Sequence, residues 1–345
     1  MENLINKLKR ARTINFIQNK YSGRFAFVGI GNHSINNIYP VLNYLHADLK
    51  YVVTKSEQTA KAVDENYNEV RGTNNYEMVL NDPEISGVLI SANPKSHFEL
   101  VKQALLKNKN VFIEKPPCST QDELQELIDI EDKSNAFVLV GLQKRYAPLY
   151  IKLGKYTKST SYYNYRYIVG NYPEGDALLD LFIHPLDVVS NFFGPAKILS
   201  LQKIVKTKGS QTYLIHLAHE KGVIGNLELS SDYWWSKSYE SMFVNTDKHY
   251  LESKNTEELV SIPKPVTIFS VPLEKIKSPK FQETILYHQN NFLPSREQNQ
   301  IYSSGYFNEI QCFLDLCEGR KTSNQSTLKS VLNTYKLIDE IKNKF

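Results

Sequence analysis

Apolar residues in the first 150 positions fall into short runs separated by longer amphipathic stretches. RFAFVGIG (24–31), LKYVVT (49–54), GVLISANP (87–94), VFIEKPP (111–117) and FVLVGLQKR (137–145) are strand-length. Between them, NNIYPVLNYL, YEMVLNDPEI and SHFELVKQALLKNKN carry helical spacing, the last with Ser96 as its expected N-cap. SEQTAKAVDEN reads as a polar helix or loop, and STQDELQELIDIEDKSN as a helix with a Ser/Thr cap. Strands alternating with helices predict a parallel, doubly wound sheet. Right-handed crossovers then put every strand's C-terminal end on one edge, where ligands bind.

The pattern changes near residue 150. SYYNYRYIVG alternates aromatic and polar residues, and DALLDLFIHPLDVVSNFFG reads as one helix. KILSLQKIV, TYLIHLAHE, GVIGNLELSSDYWW, ESMFVNTDKHYLES and EELVSIP follow as strand-length runs. They predict a large, mostly antiparallel open sheet with one polar face. Two helices, GYFNEIQCFLDLCEG and TLKSVLNTYKLIDEIKNKF, close the chain. The division expected is therefore 1–20, a helical extension; 21–147, an α/β domain of Rossmann type; and 148–345, an α+β domain for substrate binding and oligomerisation. In the extension, Leu4, Ile5, Leu8, Ile14 and Ile17 suggest an amphipathic helix packed on the body.

Composition narrows the classes. The chain has 345 residues, 41% hydrophobic and 23% charged, as in globular proteins. No apolar run approaches ~18 residues, so no spanning helix is expected. The basic start MENLINKLKRARTINFIQNK lacks the apolar core of a signal peptide. Three cysteines make no disulfide framework and no metal cluster, and a reducing cytoplasm is the expectation. The net charge of +4 is spread out, which argues against nucleic acid as a partner.

Four constellations carry chemistry. Gly29-Ile-Gly31-Asn32-His33-Ser34 follows a strand and opens a helix, as a dinucleotide fingerprint does, with Ser34 where a third glycine is usual. Thr54, Lys55 and Ser56 end the second strand, where an NAD site places an acid on the ribose. A cation and two hydroxyls favour NADP over NAD, although Glu57 could reach a plain ribose. Lys115 ends a late strand on the ligand edge, where an ammonium stabilises a developing alkoxide. Read alone, Glu114-Lys115-Pro116 is equally a charged turn. Asp180 and His184, four apart, share a helix face, and histidine suits proton transfer near neutrality. Alone, that pair is more simply a core histidine beside an acid.

Together and in this order, these residues resemble the Gfo/Idh/MocA (glucose–fructose oxidoreductase/inositol dehydrogenase) family. The resemblance rests on NPKSHFELVKQALLKNKNVFIEKPP, GLQKRYAPLY and GDALLDLFIHPLDVVSNFFG, and spans most of the chain. It implies an NAD(P)-dependent oxidoreductase moving hydride to or from a sugar, nucleotide sugar or cyclic polyol. Gly29, Gly31, Asn32, His33 and Ser34 would face the cofactor, with Asn93, Pro94, His97 and Glu114 lining its groove. Lys115 would be the catalytic lysine, in a cis bond to Pro116. Asp180 and His184 would bind substrate, His184 moving the proton, and Arg145 and Tyr146 complete the expected substrate set. Asp176 and Phe182 depart from the family pattern beside the expected pocket. A homodimer or homotetramer is implied, with tyrosine-rich strands and Trp234 and Trp235 as interface candidates. Two other functions stay open: a glycoside-cleaving enzyme using NAD transiently, and a nucleotide-sensing regulator.

Overall fold

The computed structural model describes residues 2–17, 21–67, 69–171, 175–206, 209–277, 282–289 and 300–345. The first half contains α1 (Glu2–Ile17), β1 (Arg24–Val28), α2 (Tyr39–Tyr44), β2 (Asp48–Val53), α3 (Glu57–Asn66), β3 (Arg71–Thr73) and α4 (Tyr76–Asn81). It continues with β4 (Ile85–Ile90), α5 (His97–Leu106), β5 (Asn110–Glu114), α6 (Gln121–Glu131) and β6 (Val138–Gly141). These six strands form one parallel sheet in the order β3-β2-β1-β4-β5-β6. The order reverses between β1 and β4, which opens a crevice at their C-terminal ends.

Period-two alternation builds both faces of this sheet. Phe25 and Phe27 of β1 join Leu89, Phe112 and Leu139 on one side; Ala26 and Val28 join Val88, Val111 and Val138 on the other. Thr120 caps α6 by accepting from the Glu123 amide at 3.1 Å. Ser96 does not cap α5 through its side chain; its hydroxyl donates to the Asn93 carbonyl, and Asn93 caps the preceding turn.

The second half contains α7 (Pro148–Gly154), β7 (Thr160–Gly170), α8 (Ala177–Asp180), α9 (Ile183–Phe193), β8 (Ala196–Val205), β9 (Gln211–His219), β10 (Ile224–Tyr233) and β11 (Tyr239–Thr246). Then come β12 (His249–Lys254), β13 (Glu258–Pro263), the short pair β14 (Thr267–Ile268) and β15 (Val271–Pro272), and β16 (Thr284–His288). The chain closes with α10 (Gln300–Ser303), α11 (Tyr306–Cys317) and α12 (Leu328–Lys342). Eight strands make the second sheet, in the order β16-β13-β12-β11-β7-β10-β9-β8. All its pairs are antiparallel except β7 with β10. One face is buried through Tyr163, Tyr165, Leu217, Leu229 and Met242; the other exposes Tyr162, Leu199 and Leu214.

Three expectations change. The stretch 176–194 is two helices, because the chain breaks at Leu181–Phe182 and Pro185 sits in the first turn of α9, where its missing amide costs nothing. Helix α11 returns to the first sheet, where Phe313 packs on Phe25 and Phe112. Helix α1 forms but is not packed on the body: Leu4, Ile5, Leu8 and Ile14 are all exposed, and the side chain of Ile17 lies outside the described set.

Candidate active site

The turn after β1 is set by Gly29, whose φ of +99° suits only glycine and whose missing Cβ makes room for the Ser91 carbonyl oxygen. A Cβ at Gly31 would meet nothing within 4 Å, so the backbone there borders open room on the ligand edge. Ser34 accounts for the absent third glycine. Its hydroxyl accepts from the Gly31 amide at 3.0 Å and donates to the Gly31 carbonyl at 2.9 Å, holding the turn from inside. That places Ser34, 1% exposed, away from the edge. Asn32 stays exposed beside it. At the end of β2, Thr54 is buried and donates to the Ser56 carbonyl, and the Ser56 hydroxyl caps α3 through the Thr59 amide. Lys55 is exposed and makes no ion pair among the described residues.

At the end of β4, Asn93 and Pro94 form the exposed lip of the crevice. His97 does not line it. The ring is buried, with Nδ1 2.7 Å from the Pro116 carbonyl oxygen and Nε2 3.0 Å from that of Ala92. A neutral imidazole donates from one nitrogen only, so two carbonyls draw the ring toward its charged form. Burial opposes this and is the larger influence, leaving the pKa below its ordinary value. The role left to His97 is to tie the lip after β4 to the turn after β5.

That turn carries the lysine. β5 ends at Glu114, and Lys115–Pro116 is a cis peptide, as the resemblance implied. Glu114 is buried; Oε1 lies 3.1 Å from His33 Nε2, and Oε2 accepts from the Lys115 amide at 3.2 Å. Its carboxyl is held below its ordinary pKa, because His33, Lys115 and His97 together outweigh the opposing effect of burial. Lys115 Nζ donates to the Asp180 backbone carbonyl at 2.8 Å. Burial lowers the Lys115 pKa, with Glu114 and Asp180 pulling the other way.

Across the crevice lies His184, 8% exposed, with Nδ1 buried and unpartnered. Its pKa is well below the ordinary value, first through burial and then through Lys115, Lys144 and His33. Lys115, Lys144 and His33 are thus near enough to His184 to act on its charge. Asp180 makes no hydrogen bond to His184 among the described residues, because the break after α8 turns the two off one face. Asp180 is itself raised above its ordinary value by burial.

Two expected substrate residues, Arg145 and Tyr146, are committed to other partners, and the two bordering residues, Phe182 and Asp176, also have partners of their own. Arg145 is buried in a two-pronged pair with Asp187, Nε to Oδ2 at 2.8 Å and Nη2 to Oδ1 at 2.5 Å, and also donates to Gln325 and Ser330. Tyr146 is buried with its hydroxyl 3.0 Å from that of Ser326. Both join the strand-end segment to the closing helix rather than reaching the crevice. Phe182 is fully buried, edge-on to Tyr213, and Asp176 caps α8 while pairing with Lys342. Replacing Arg145 with methionine strands Asp187 in the interior, and a stability loss of about 3–5 kcal/mol is expected in denaturant unfolding.

The sequence reading passed over Lys144 and Glu240. Lys144 follows β6 on the ligand edge and is bound by both Glu240 oxygens, over the rings of Tyr150 and Tyr167 at 5.4 and 5.0 Å. Tyr150 and Tyr165 also donate to Glu240. The available signal was an acid at an inward position of an alternating strand, ESMFV.

Residues 23–142 match the family described as "Oxidoreductase family, NAD-binding Rossmann fold", Gfo/Idh/MocA. Over that stretch the chain is similar to the Gfo/Idh/MocA family. An oxidoreductase of Escherichia coli, YhhX, is 28% identical over 49% of this chain and 53% of its own length. The inositol 2-dehydrogenase of Salmonella typhimurium is 29% identical over 37% of this chain and 41% of its own. The matched stretches thus span about half of these relatives or less. The fold of nearly the whole chain is nevertheless shared with solved structures. A dehydrogenase from Chromobacterium violaceum superposes with a TM-score of 0.77, covering 93% of this chain and 95% of that one at 21% identity. A 3-ketoreductase from Actinomadura kijaniata, in complex with TDP-benzene and NADP, superposes at 0.71, covering 93% and 96% at 13% identity.

Proposed function

We propose that this protein is an NAD(P)-dependent oxidoreductase that moves hydride to or from a ring carbon of a sugar, nucleotide sugar or cyclic polyol. The observation that carries the reading is that Lys115 and the open Gly29–Gly31 turn share one sheet edge, with Lys115 bonded to the Asp180 carbonyl four residues before the buried, unpartnered His184 Nδ1. The residues fit a dinucleotide. Gly31 leaves room for a close phosphate, Asn93 and Pro94 form the lip, and His33 and Glu114 sit between that turn and Lys115. When bound, the nicotinamide supplies the hydride donor or acceptor.

The chain's own groups handle the rest. Lys115 exchanges its bond to the Asp180 carbonyl for one to the reacting oxygen and stabilises charge there. His184, neutral and without a partner at Nδ1, takes the hydroxyl proton in oxidation and returns it in reduction. Asp180 grips a neighbouring hydroxyl. The uncommitted Lys55 supports NADP over NAD. Lys55→Glu is expected to lower the NADP-to-NAD ratio of kcat/KM by about tenfold, as loss of a charged hydrogen bond does. Dimers or tetramers are supported by the open face of the second sheet, and the cytoplasm by the absence of disulfides in the sequence reading.

The test is to follow nicotinamide absorbance while sugars, nucleotide sugars and inositols are added to the protein with oxidised cofactor. Absorbance rising with one of these classes supports the reading. Release of a free sugar with no net absorbance change assigns the chain to glycoside cleavage instead.

A further inference from the structure

We infer that α1 holds this protein peripherally on an anionic lipid surface, with the helix lying flat among the headgroups. Such attachment goes beyond the redox chemistry of the crevice and does not depend on it.

Leu4, Ile5, Leu8 and Ile14 of α1 are 62%, 49%, 63% and 48% exposed. At 3.6 residues per turn, Leu4, Ile5, Leu8 and Ala11 share one face of the helix. Lys7 and Lys9 flank that face on opposite edges, and Arg10 stands on the far side. Arg12 borders Ile5, where its stem can lie along apolar surface while the guanidinium reaches water. All four cations are exposed and make no ion pair among the described residues. The helix thus offers an apolar stripe with a cation at each margin, which no described part of the body covers.

The distribution of charge identifies the occupant. Five of the 41 lysines and arginines and one of the 37 acids lie in residues 1–20, which leaves 36 of each in the rest of the chain. The whole net charge of +4 therefore belongs to the segment that carries α1, and the balanced body offers it no counterpart. A second copy is disfavoured for the same reason. Two α1 helices face to face would repel, and the second body is as balanced as the first. Nucleic acid would meet the cations but leave the apolar stripe in water. An anionic bilayer surface meets both needs: its acyl boundary takes up Leu4, Ile5 and Leu8 while its headgroups face Lys7 and Lys9. The helix lies flat rather than crossing. Its 16 residues span about 24 Å against a hydrocarbon core of about 30 Å, and no helix of the described residues is long and apolar enough to cross a membrane.

The experiment sediments the full chain with vesicles of phosphatidylcholine alone and of phosphatidylcholine mixed with phosphatidylserine, at low and high salt. Binding to the mixed vesicles, far weaker binding to the neutral ones, and release at high salt are expected. Lys7→Gln combined with Lys9→Gln should weaken binding ~20-fold, about fivefold per charge. Leu8→Asn should weaken it about tenfold. Because α1 packs on no described part of the body, each variant should keep the parent's thermal unfolding and its calorimetric response to NADPH. No binding to the mixed vesicles overturns the inference, as do equal binding to both kinds of vesicle and variants that bind like the parent. Tighter retention by duplex DNA than by the mixed vesicles overturns it and assigns α1 to nucleic acid. A particle mass that rises with protein concentration and falls back in Leu8→Asn, without vesicle binding, overturns it and assigns the stripe to a second copy.

Discussion

Lys115→Met should lower turnover by ~10²–10⁴-fold, the range a positioned acid, base or charged group contributes, with cofactor affinity little changed. Methionine keeps the length and apolar stem and removes only the ammonium, whose bond is to the Asp180 carbonyl at 2.8 Å. Burial already disfavours the charged form of Lys115. The variant should therefore fold with stability close to the parent. That separation matters: a structural lysine would lose stability and activity together, whereas a catalytic one loses turnover alone. Steady-state kinetics beside a denaturant titration reads both. Unchanged kcat in a folded variant would remove Lys115 from the reaction.

His184→Asn is expected to cost a similar factor, and the parent's pH profile should show why. Burial, with Lys115, Lys144 and His33 nearby, holds His184 well below the ordinary histidine value of 6.5. A proton acceptor must be neutral, and this one stays neutral where an exposed histidine would already be charged. In the oxidation direction, kcat should therefore pass through pH 6.5 without the fall that an ordinary histidine base would impose. A titration in kcat centred near 6.5 and lost in His184→Asn would contradict the burial argument while keeping the residue. The same shift bears on folding. The unfolded chain takes up this proton at higher pH than the folded one, so the His184 contribution is full above about 6.5 and declines below it, toward the folded pKa.

The fold was largely legible because its signals are local. Parallel strands buried on both faces read as short apolar runs, and Gly29, Pro185 and the Thr120 cap punctuate them. Lys115 was legible for the same reason, since the end of an apolar run fixes its place on the ligand edge. What sequence spacing could not show was which polar groups already had partners. Arg145 and Tyr146 sit beside the edge in sequence, yet tertiary packing gives them to Asp187 and Ser326. His97 faces two backbone carbonyls that no periodicity reveals. Asp180 and His184 keep a helical spacing of four, but the break at Leu181–Phe182 separates them. Lys144 follows β6 of the first sheet and Glu240 lies on β11 of the second, and only the packing of the two sheets' elements brings them together.

The most direct test is a calorimetric titration of the purified protein with NADPH and, separately, NADH. The account predicts saturable binding at one site per chain, tighter for NADPH because Lys55 is free to meet the 2′-phosphate. Absence of heat with both, in protein that carries no copurified nucleotide, would contradict it, because the Gly29–Gly31 edge would then hold no dinucleotide.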